Sequence, residues 1–458
     1  MKRKLVRPVK PGDVIQLKIN NLNHSGEGVG KYEGFTVFVP SVLPGENVQA
    51  VIEEVKSRYA RGRAIHSDNF SKEREEPCCS SYAKCGGCHL QHMNYEAQLK
   101  FKNQTVIEAL RRIGKIEKVN ICPPIGMKDI RGYRNKAEYP IIEYNGTLYA
   151  GFFKQRSKEG IPIDDCGLQH PLAEKVRRYF IEIAREMKFK AYSMETKRGH
   201  IRHLIVRVGV FTGEVMVVVV TAADIRAQLK RAAKELIERV PEVKSVFQSV
   251  KINDRNPNVL GEKLYHLYGK KRITEKIGPF EFLISPETFF QVNSVQSEVL
   301  FNKVVEYSKL EGKGTAVDAY CGVGAISLFL AQKTQKVYGI EISKKSIENA
   351  RANAVLNGIK NTEFYAGDVS EIVPNLPIKE SDVVVLDPPR GGCDKKALNA
   401  VLALKPQRLI YVSCNPSTLA RDLSFIVHEH GYKIEEIQVV DMFPNTYHVE
   451  TVVLMSRL

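Results

Sequence analysis

Asp318-Ala319-Tyr320-Cys321-Gly322-Val323-Gly324 stands between a short apolar stretch and a segment of helical periodicity, and its reading decides the fold. A glycine-rich turn that leaves a strand and opens a helix is where a doubly wound sheet holds a nucleotide, because glycines let the backbone approach the ligand. Ser327 occupies the place of the third glycine of a dinucleotide fingerprint, so a nicotinamide-dependent oxidoreductase is disfavoured. Around this turn the chain alternates strand and helix, with buried strands expected at Thr315 to Asp318, Lys336 to Ile340, Val383 to Leu386 and Arg408 to Val412. Regular alternation of this kind predicts a parallel sheet with helices on both faces.

Acidic residues fall where those strands end. Glu341 lies 23 residues after Asp318, where a carboxylate can accept hydrogen bonds from both hydroxyls of a ribose. Asp368 ends the following strand, placed to meet an adenine amine, and Asp387, in Asp387-Pro388-Pro389-Arg390, ends the fourth. Carboxylates at three successive strand ends, with Gly322 and Gly324 in the turn, suit a cofactor with a ribose, an adenine and a cationic sulfonium. Such a cofactor brings no phosphates to neutralise.

Ser413-Cys414-Asn415-Pro416 follows directly on a buried strand, so Cys414 is expected at the same sheet edge as the cofactor turns. Ser417, Thr418, Arg421 and Asp422 come next as a polar helix start, whose amides and charges favour a thiolate. Glu450, in His448-Val449-Glu450-Thr451 just before the last strand, is the candidate general base.

The 458 residues exceed one compact core and predict several domains. Lys plus Arg number 68 against 52 Asp plus Glu, and the resulting +16 points to a polyanionic partner. The cations cluster: Lys56, Arg58, Arg61 and Arg63 share one strand-like run, while Arg131, Arg134 and Lys136 crowd a short loop. Tyr59 and Tyr133 among them offer flat faces for stacked bases. No apolar run is long enough to span a membrane; the longest, Val215 to Val220, reads as a β-strand. The charged opening Met1-Lys2-Arg3-Lys4 leads to Pro8 and Pro11 rather than an apolar segment, so no secretory signal is expected and the protein reads as cytoplasmic. Nine cysteines in that compartment imply reduced thiols, metal ligands or catalysis.

Residues 1–70 read as a small β-barrel, with strands at Val14 to Asn20, Phe35 to Val39 and Val48 to Ile65 and a glycine-rich turn at Gly26, Gly28 and Gly30. The stretch Leu22 to Val48, with Gly28, Gly30, Gly34, Pro40, Pro44, Gly45 and Glu46, resembles a TRAM domain, an RNA-binding barrel of OB-like form. Residues 71–285 are expected as an α+β middle domain, with a helix from Gln98 to a glycine stop at Gly114 and others near Pro171 to Lys188 and Asp224 to Arg239. Residues 286–458 form the α/β domain around the glycine turn.

Phe289-Phe290-Gln291-Val292-Asn293, Asp387-Pro388-Pro389-Arg390, Ser413-Cys414-Asn415-Pro416 and Phe443-Pro444-Asn445-Thr446-Tyr447-His448-Val449-Glu450 together resemble, in order and spacing, the RNA (uracil-5-)-methyltransferase family. The resemblance implies a Rossmann-like methyltransferase domain, S-adenosylmethionine as methyl donor, Cys414 as nucleophile and Glu450 as base. It also implies that Gln291, Tyr320, Glu341 and Asp387 contact the donor. Attack by a thiolate on carbon 6 converts the uracil into an enolate whose carbon 5 accepts a methyl group, and a base buried in a stack must be flipped out to be reached. Ala325 replaces a polar residue of some relatives, so no contact is expected there.

Cys79, Cys85 and Cys88 form a C-x5-C-x2-C run, and Cys166 lies in Asp164-Asp165-Cys166-Gly167. Four thiolates can hold a [4Fe–4S] cluster or a zinc ion, with Cys78 an alternative to Cys79. The family's ribosomal RNA branch carries this pattern, which favours the iron–sulfur cluster and implies 23S ribosomal RNA as partner of a monomeric enzyme. Transfer RNA methylation and a non-catalytic RNA-binding assembly factor are the competing readings. The segment Tyr133-Arg134-Asn135-Lys136 resembles a recurrent stretch of the family and is expected to touch RNA, as are Arg131, Arg134 and Lys136. Cys122, Cys321 and Cys393 read as packing residues.

Overall fold

The computed structural model describes residues 7–458, so the basic opening Met1–Lys4 lies outside the described residues. The chain forms two compact units, one of Met1–Thr105 with Lys154–Ser157 and Phe443–His448, the other of Val106–Phe153, Lys158–Met442 and Val449–Leu458.

In the first unit, β1 (Val14–Leu22), β2 (Gly28–Tyr32), β3 (Phe35–Val39), β4 (Asn47–Val55) and β5 (Tyr59–Ser67) close into a barrel in the order β1-β2-β3-β5-β4. Alternation of buried and exposed residues along β1 sends Ile15, Leu17 and Ile19 inward to meet Val37, Val48 and Ile52. Two expectations are corrected. The run Val48 to Ile65 is not one strand: it folds back at Lys56, whose amide donates to the Tyr59 carbonyl at 2.8 Å, giving the antiparallel pair β4 and β5. Gly28 and Gly30 are not turn residues but lie inside β2, where a Cβ on Gly28 would come within 2.4 Å of Val42 and one on Gly30 within 3.1 Å of Leu17. Their missing side chains leave room for the barrel core.

The helix expected from Gln98 begins earlier, as α1 (Tyr95–Ala109), and continues through a π turn over Leu110–Gly114. Lys115 in the left-handed conformation ends it, not Gly114. Gly114 is instead a close-packing position, because a Cβ there would sit 3.0 Å from the Ala420 carbonyl.

The second unit holds two seven-stranded sheets. One, in the order β12-β11-β10-β9-β6-β7-β8, is built from β6 (Lys136–Tyr144), β7 (Thr147–Phe153), β8 (Gly160–Pro162), β9 (Ile201–Val208), β10 (Val215–Thr221), β11 (Val243–Val250) and β12 (Lys263–Gly269). Helices α2 (Pro171–Glu186) and α3 (Arg226–Arg239) pack their apolar stripes, Val176, Phe180, Leu229 and Leu236 among them, against its valine-rich strands. The hairpin of β13 (Ile273–Ile277) and β14 (Phe280–Ile284) follows.

The other sheet contains β15 (Thr315–Ala319), β16 (Lys336–Glu341), β17 (Thr362–Ala366), β18 (Val383–Leu386), β19 (Arg408–Ser413), β20 (Tyr432–Val440) and β21 (Glu450–Arg457), with α4 (Ser294–Ser308), α5 (Ala325–Ala331), α6 (Lys344–Leu356), α7 (Val369–Ile372), α8 (Lys395–Ala403) and α9 (Pro416–His430) around it. Its order is β17-β16-β15-β18-β19-β21-β20, with six strands running in one direction and β21 antiparallel between β19 and β20. Fully buried runs such as Val383–Leu386 are what a parallel sheet covered on both faces requires. The chain leaves β15 for β16 on one side and later returns to β18 on the other. This reversal opens a crevice at the carboxyl ends of β15 and β18.

Candidate active site

Tyr320, Glu341, Asp387 and Cys414 stand at the carboxyl ends of β15, β16, β18 and β19. Tyr320 follows β15 with φ +69°, a left-handed conformation that is strained for an aromatic residue. Gly322 has φ +55° with nothing within 4 Å of a Cβ built on it, so the turn faces open space. Gly324 (φ +82°) caps α5, and its missing Cβ lets Phe364 and Ala350 approach. Ser327, where a dinucleotide fold would have glycine, donates its hydroxyl to Asp318 Oδ2 at 2.5 Å. Asp318 Oδ1 is buried without a partner, and burial pushes this carboxyl up to about 7.

Glu341 ends β16, its Oε1 accepting the Ser343 amide at 2.9 Å. Asp368 caps α7, Oδ1 accepting the Ser370 amide at 2.8 Å, and lines an open cleft with Tyr320, Leu398 and Phe425. Asp387 follows β18, and burial pushes its carboxyl up to about 7. Gln291 is partly exposed ahead of α4. Its position is set by Asn135, whose Nδ2 donates to the Gln291 carbonyl at 3.0 Å and to Ser294 Oγ at 2.9 Å, and whose amide donates to the Val292 carbonyl at 2.8 Å.

Cys414 and Glu450 are brought together by strand register. Ser413 in β19 pairs with Thr451 in β21, so the next antiparallel pair outward sets Cys414 beside Glu450, the first residue of β21. Asn415 caps α9 immediately after Cys414, with Oδ1 accepting the Ser417 amide at 3.1 Å and Pro416 at the first helical position. Burial, followed by the charge of Glu450, pushes the Cys414 thiol up to about 11; Arg390 works the other way and Asp387 adds to the rise. Glu450 is buried and lies well above the usual carboxylate range, first from burial and then from Asp387, again opposed by Arg390.

The expected thiolate-favouring role of Arg421 and Asp422 is therefore corrected. Arg421 donates to the carbonyls of Gly391 and Cys393 at 2.9 and 3.1 Å and to Asp422 at 2.8 Å. Asp422, buried, accepts from the Tyr411 hydroxyl at 2.6 Å and the Cys393 amide at 2.8 Å. Asn415 and Thr418 donate to the Arg390 carbonyl at 3.0 and 3.2 Å. These residues clamp the loop that carries Asp387 and Arg390. The cation facing the thiol is Arg390, which the sequence reading quoted only as part of a motif. Cys393 and Cys321 are buried, as packing residues should be, whereas Cys122 is partly exposed and bonded to Glu436.

Among the expected RNA contacts, Arg131 is exposed, Arg134 donates Nε to the Lys136 carbonyl at 3.1 Å, and Lys136 pairs with Glu138 at 2.6 Å. Tyr133 is only 6% exposed, so its ring offers no stacking face. Tyr59 is partly exposed with the Arg61 guanidinium 5.1 Å from its ring centre. Cys79, Cys85 and Cys88 belong to the first unit and Cys166 to the second. Among the described residues no three His, Cys, Asp or Glu side chains are gathered as metal ligands. Nor is any helix among the described residues long and apolar enough to cross a membrane.

Residues 94–458 match the tRNA (Uracil-5-)-methyltransferase family, and residues 8–65 match the TRAM domain. An "uncharacterized RNA methyltransferase" of Halalkalibacterium halodurans is 43% identical, covering 98% of each chain. One of Clostridium acetobutylicum is 42% identical over 99% of each chain. Among solved structures, the Pyrococcus abyssi tRNA (uracil-54, C5)-methyltransferase in complex with S-adenosyl-L-homocysteine aligns with a TM-score of 0.75 and 30% identity, over 96% of this chain and 100% of that one. Fold and similarity define an S-adenosylmethionine-dependent RNA methyltransferase. The chain belongs to the tRNA (uracil-5-)-methyltransferase family, with a TRAM domain at its N-terminal end.

The residues present fit S-adenosylmethionine. Asp318 holds an unpartnered buried oxygen, Gly322 faces open space, and the carboxyl of Asp387 stands at the end of the adjacent strand β18. Acceptors of this kind suit ribose hydroxyls and a positive sulfonium.

Proposed function

We propose that the protein methylates carbon 5 of a uridine in 23S ribosomal RNA through a covalent bond between Cys414 and carbon 6. The observation that carries this reading is the β19–β21 register, which sets a cysteine beside a buried carboxyl at the cofactor crevice. Cys414 gives its proton to solvent and its sulfur bonds to carbon 6, moving the ring's electrons toward the carbon 4 oxygen as an enolate. S-adenosylmethionine, when bound, supplies an electrophilic methyl group for carbon 5. Glu450, as a carboxylate, then removes the proton from carbon 5; the double bond re-forms and the thiolate leaves. A carboxyl whose proton affinity is raised by burial is the stronger base for that task. Gln291, Tyr320, Glu341, Asp368 and Asp387, with Gly322 and Gly324, would hold the donor, and Arg131, Arg134 and Lys136 would meet RNA.

Incubation with RNA containing 5-fluorouridine tests the chemistry, because fluorine cannot be removed as a proton and the adduct is trapped. A trapped complex carried by Cys414 is expected in wild type and absent in Cys414→Ala, which should still bind RNA. Glu450→Gln should accumulate an adduct even with ordinary uridine. Full 5-methyluridine formation by Cys414→Ala would overturn the mechanism.

Ribosomal RNA is favoured by the resemblance of the TRAM stretch and cysteine spacing to the family's ribosomal branch. Transfer RNA is the second reading, favoured by the likeness to the Pyrococcus abyssi enzyme. Mapping 5-methyluridine in both RNA classes from a strain lacking the gene separates them. An iron–sulfur cluster on Cys79, Cys85, Cys88 and Cys166 rests on spacing and resemblance alone, and iron and sulfide analysis of anaerobically purified protein tests it.

A further inference from the structure

The segment that leads into Glu450 is held with unusual firmness. Asn445 adopts φ +67°, and its carbonyl accepts the amides of His89 and Leu90 at 2.9 and 3.1 Å. Gln98 grips the same residue from α1: its Oε1 accepts the Asn445 amide at 2.9 Å and its Nε2 donates to Asn445 Oδ1 at 3.2 Å. Lys102, fully buried, donates Nζ to the Phe443 carbonyl at 2.9 Å. Burying an ammonium is costly unless it is bonded, so this contact is a strong constraint on the loop.

What the constrained loop displays is a set of rings. Tyr447 lies 4.4 Å from His89 and 4.4 Å from His448, centre to centre, and Phe443 meets His448 edge-on at 5.9 Å. His89, Tyr447 and His448 each keep part of their surface in solvent. A uridine drawn out of its stack leaves neighbouring bases unstacked, and flat side chains held in advance replace the lost stacking at little entropic cost.

We propose that Tyr447, braced by the His89 and His448 rings tilted 57° and 49° against it, is a fixed face on which one unpaired base of the RNA substrate stacks; the assignment rests on the RNA methylation reading above. Stacking is not a phosphate contact, so this face adds affinity without adding to its salt dependence.

The test is binding of a single-stranded oligoribonucleotide carrying 2-aminopurine, whose fluorescence is quenched on stacking, titrated at several salt concentrations. Tyr447→Leu is expected to weaken binding roughly 5- to 150-fold and to relieve quenching, with an unchanged slope of log affinity against log salt. Tyr447→Phe should restore most of the loss, and S-adenosylmethionine affinity should be the same in all three proteins. Wild-type affinity in Tyr447→Leu would overturn the proposal, as would failure of Tyr447→Phe to rescue or a parallel loss of S-adenosylmethionine binding. Because the titration needs no turnover, its failure is distinct from failure of the 5-fluorouridine trap.

Discussion

Cys414 sits between opposing charges, and the balance is open to measurement. Burial and the carboxylates of Glu450 and Asp387 disfavour its thiolate, while the Arg390 guanidinium favours it. Removing a negative neighbour lowers a thiol's pKa and removing a positive one raises it. Alkylation of Cys414 by iodoacetamide, followed against pH, should therefore move its midpoint down in Glu450→Gln and up in Arg390→Met, each by about one unit. Midpoints moving together, or not at all, would show that these charges do not govern the thiol. The placement of Cys414 and Glu450 at strand ends of one sheet was legible because both sit in short motifs beside buried apolar runs. Their environment was not: a polar helix start suggested a favoured thiolate, yet Arg421 turns away to the Gly391 and Cys393 carbonyls. Tyr133 and Lys136 show the same limit, because a tyrosine's burial and a lysine's pairing with Glu138 depend on neighbours that local sequence does not name.

The loop between β18 and α8 carries Asp387 and Arg390, and its shape depends on residues of β19 and α9. Asp422 is 2% exposed and serves Tyr411, Cys393 and Arg421 at once. Removing Asp422 leaves the buried Tyr411 hydroxyl and the Cys393 amide without their acceptor, which costs about 1–3 kcal/mol for each donor left unsatisfied. Asp422→Ala should lose about that much in urea denaturation, and its methyl-transfer rate at saturating donor and RNA should fall well below what remaining fold accounts for. Stability loss with an unchanged rate would mean the loop holds its shape unaided. Gly392 belongs to the same clamp: with φ +73°, a Cβ there would come within 2.5 Å of Asp422 Oδ2. Strands β15, β16, β18 and β19 were readable as short buried apolar runs and emerged within a residue of expectation, whereas β17 ends at Ala366, two residues before the Asp368 expected to close it. The insertion of β21 between β19 and β20 was not readable, since antiparallel order is decided by which strands meet after long connections. That insertion alone sets Glu450 beside Cys414. The barrel hid in a similar way, because β4 and β5 are joined at Lys56–Arg58 without glycine or proline to mark the reversal.

Net charge of +16 governs how the molecule meets RNA from a distance, but its cations are not equivalent. At the tip between β4 and β5, Arg58 is exposed. Arg61, half-buried, stands 3.6 Å from both Glu27 and Glu54, and its guanidinium covers the Tyr59 ring at 5.1 Å. A cation already engaged by carboxylates gives up those partners to bind phosphate, whereas an exposed one releases only counterions and water. Arg58→Ser should therefore flatten the dependence of log affinity for single-stranded RNA on log salt by about 0.7, the value of one phosphate contact. Arg61→Ser should leave that slope near wild type and lower the stability of the barrel by no more than about 1 kcal/mol, because Glu27 keeps its ion pair with Arg156 at 2.5 Å. Filter binding between 50 and 300 mM salt (about a sixfold range), run beside thermal denaturation, reads both quantities. Equal slope losses in the two variants would mean that Arg61 leaves its carboxylates when RNA arrives, and that the barrel meets RNA as a uniformly charged surface.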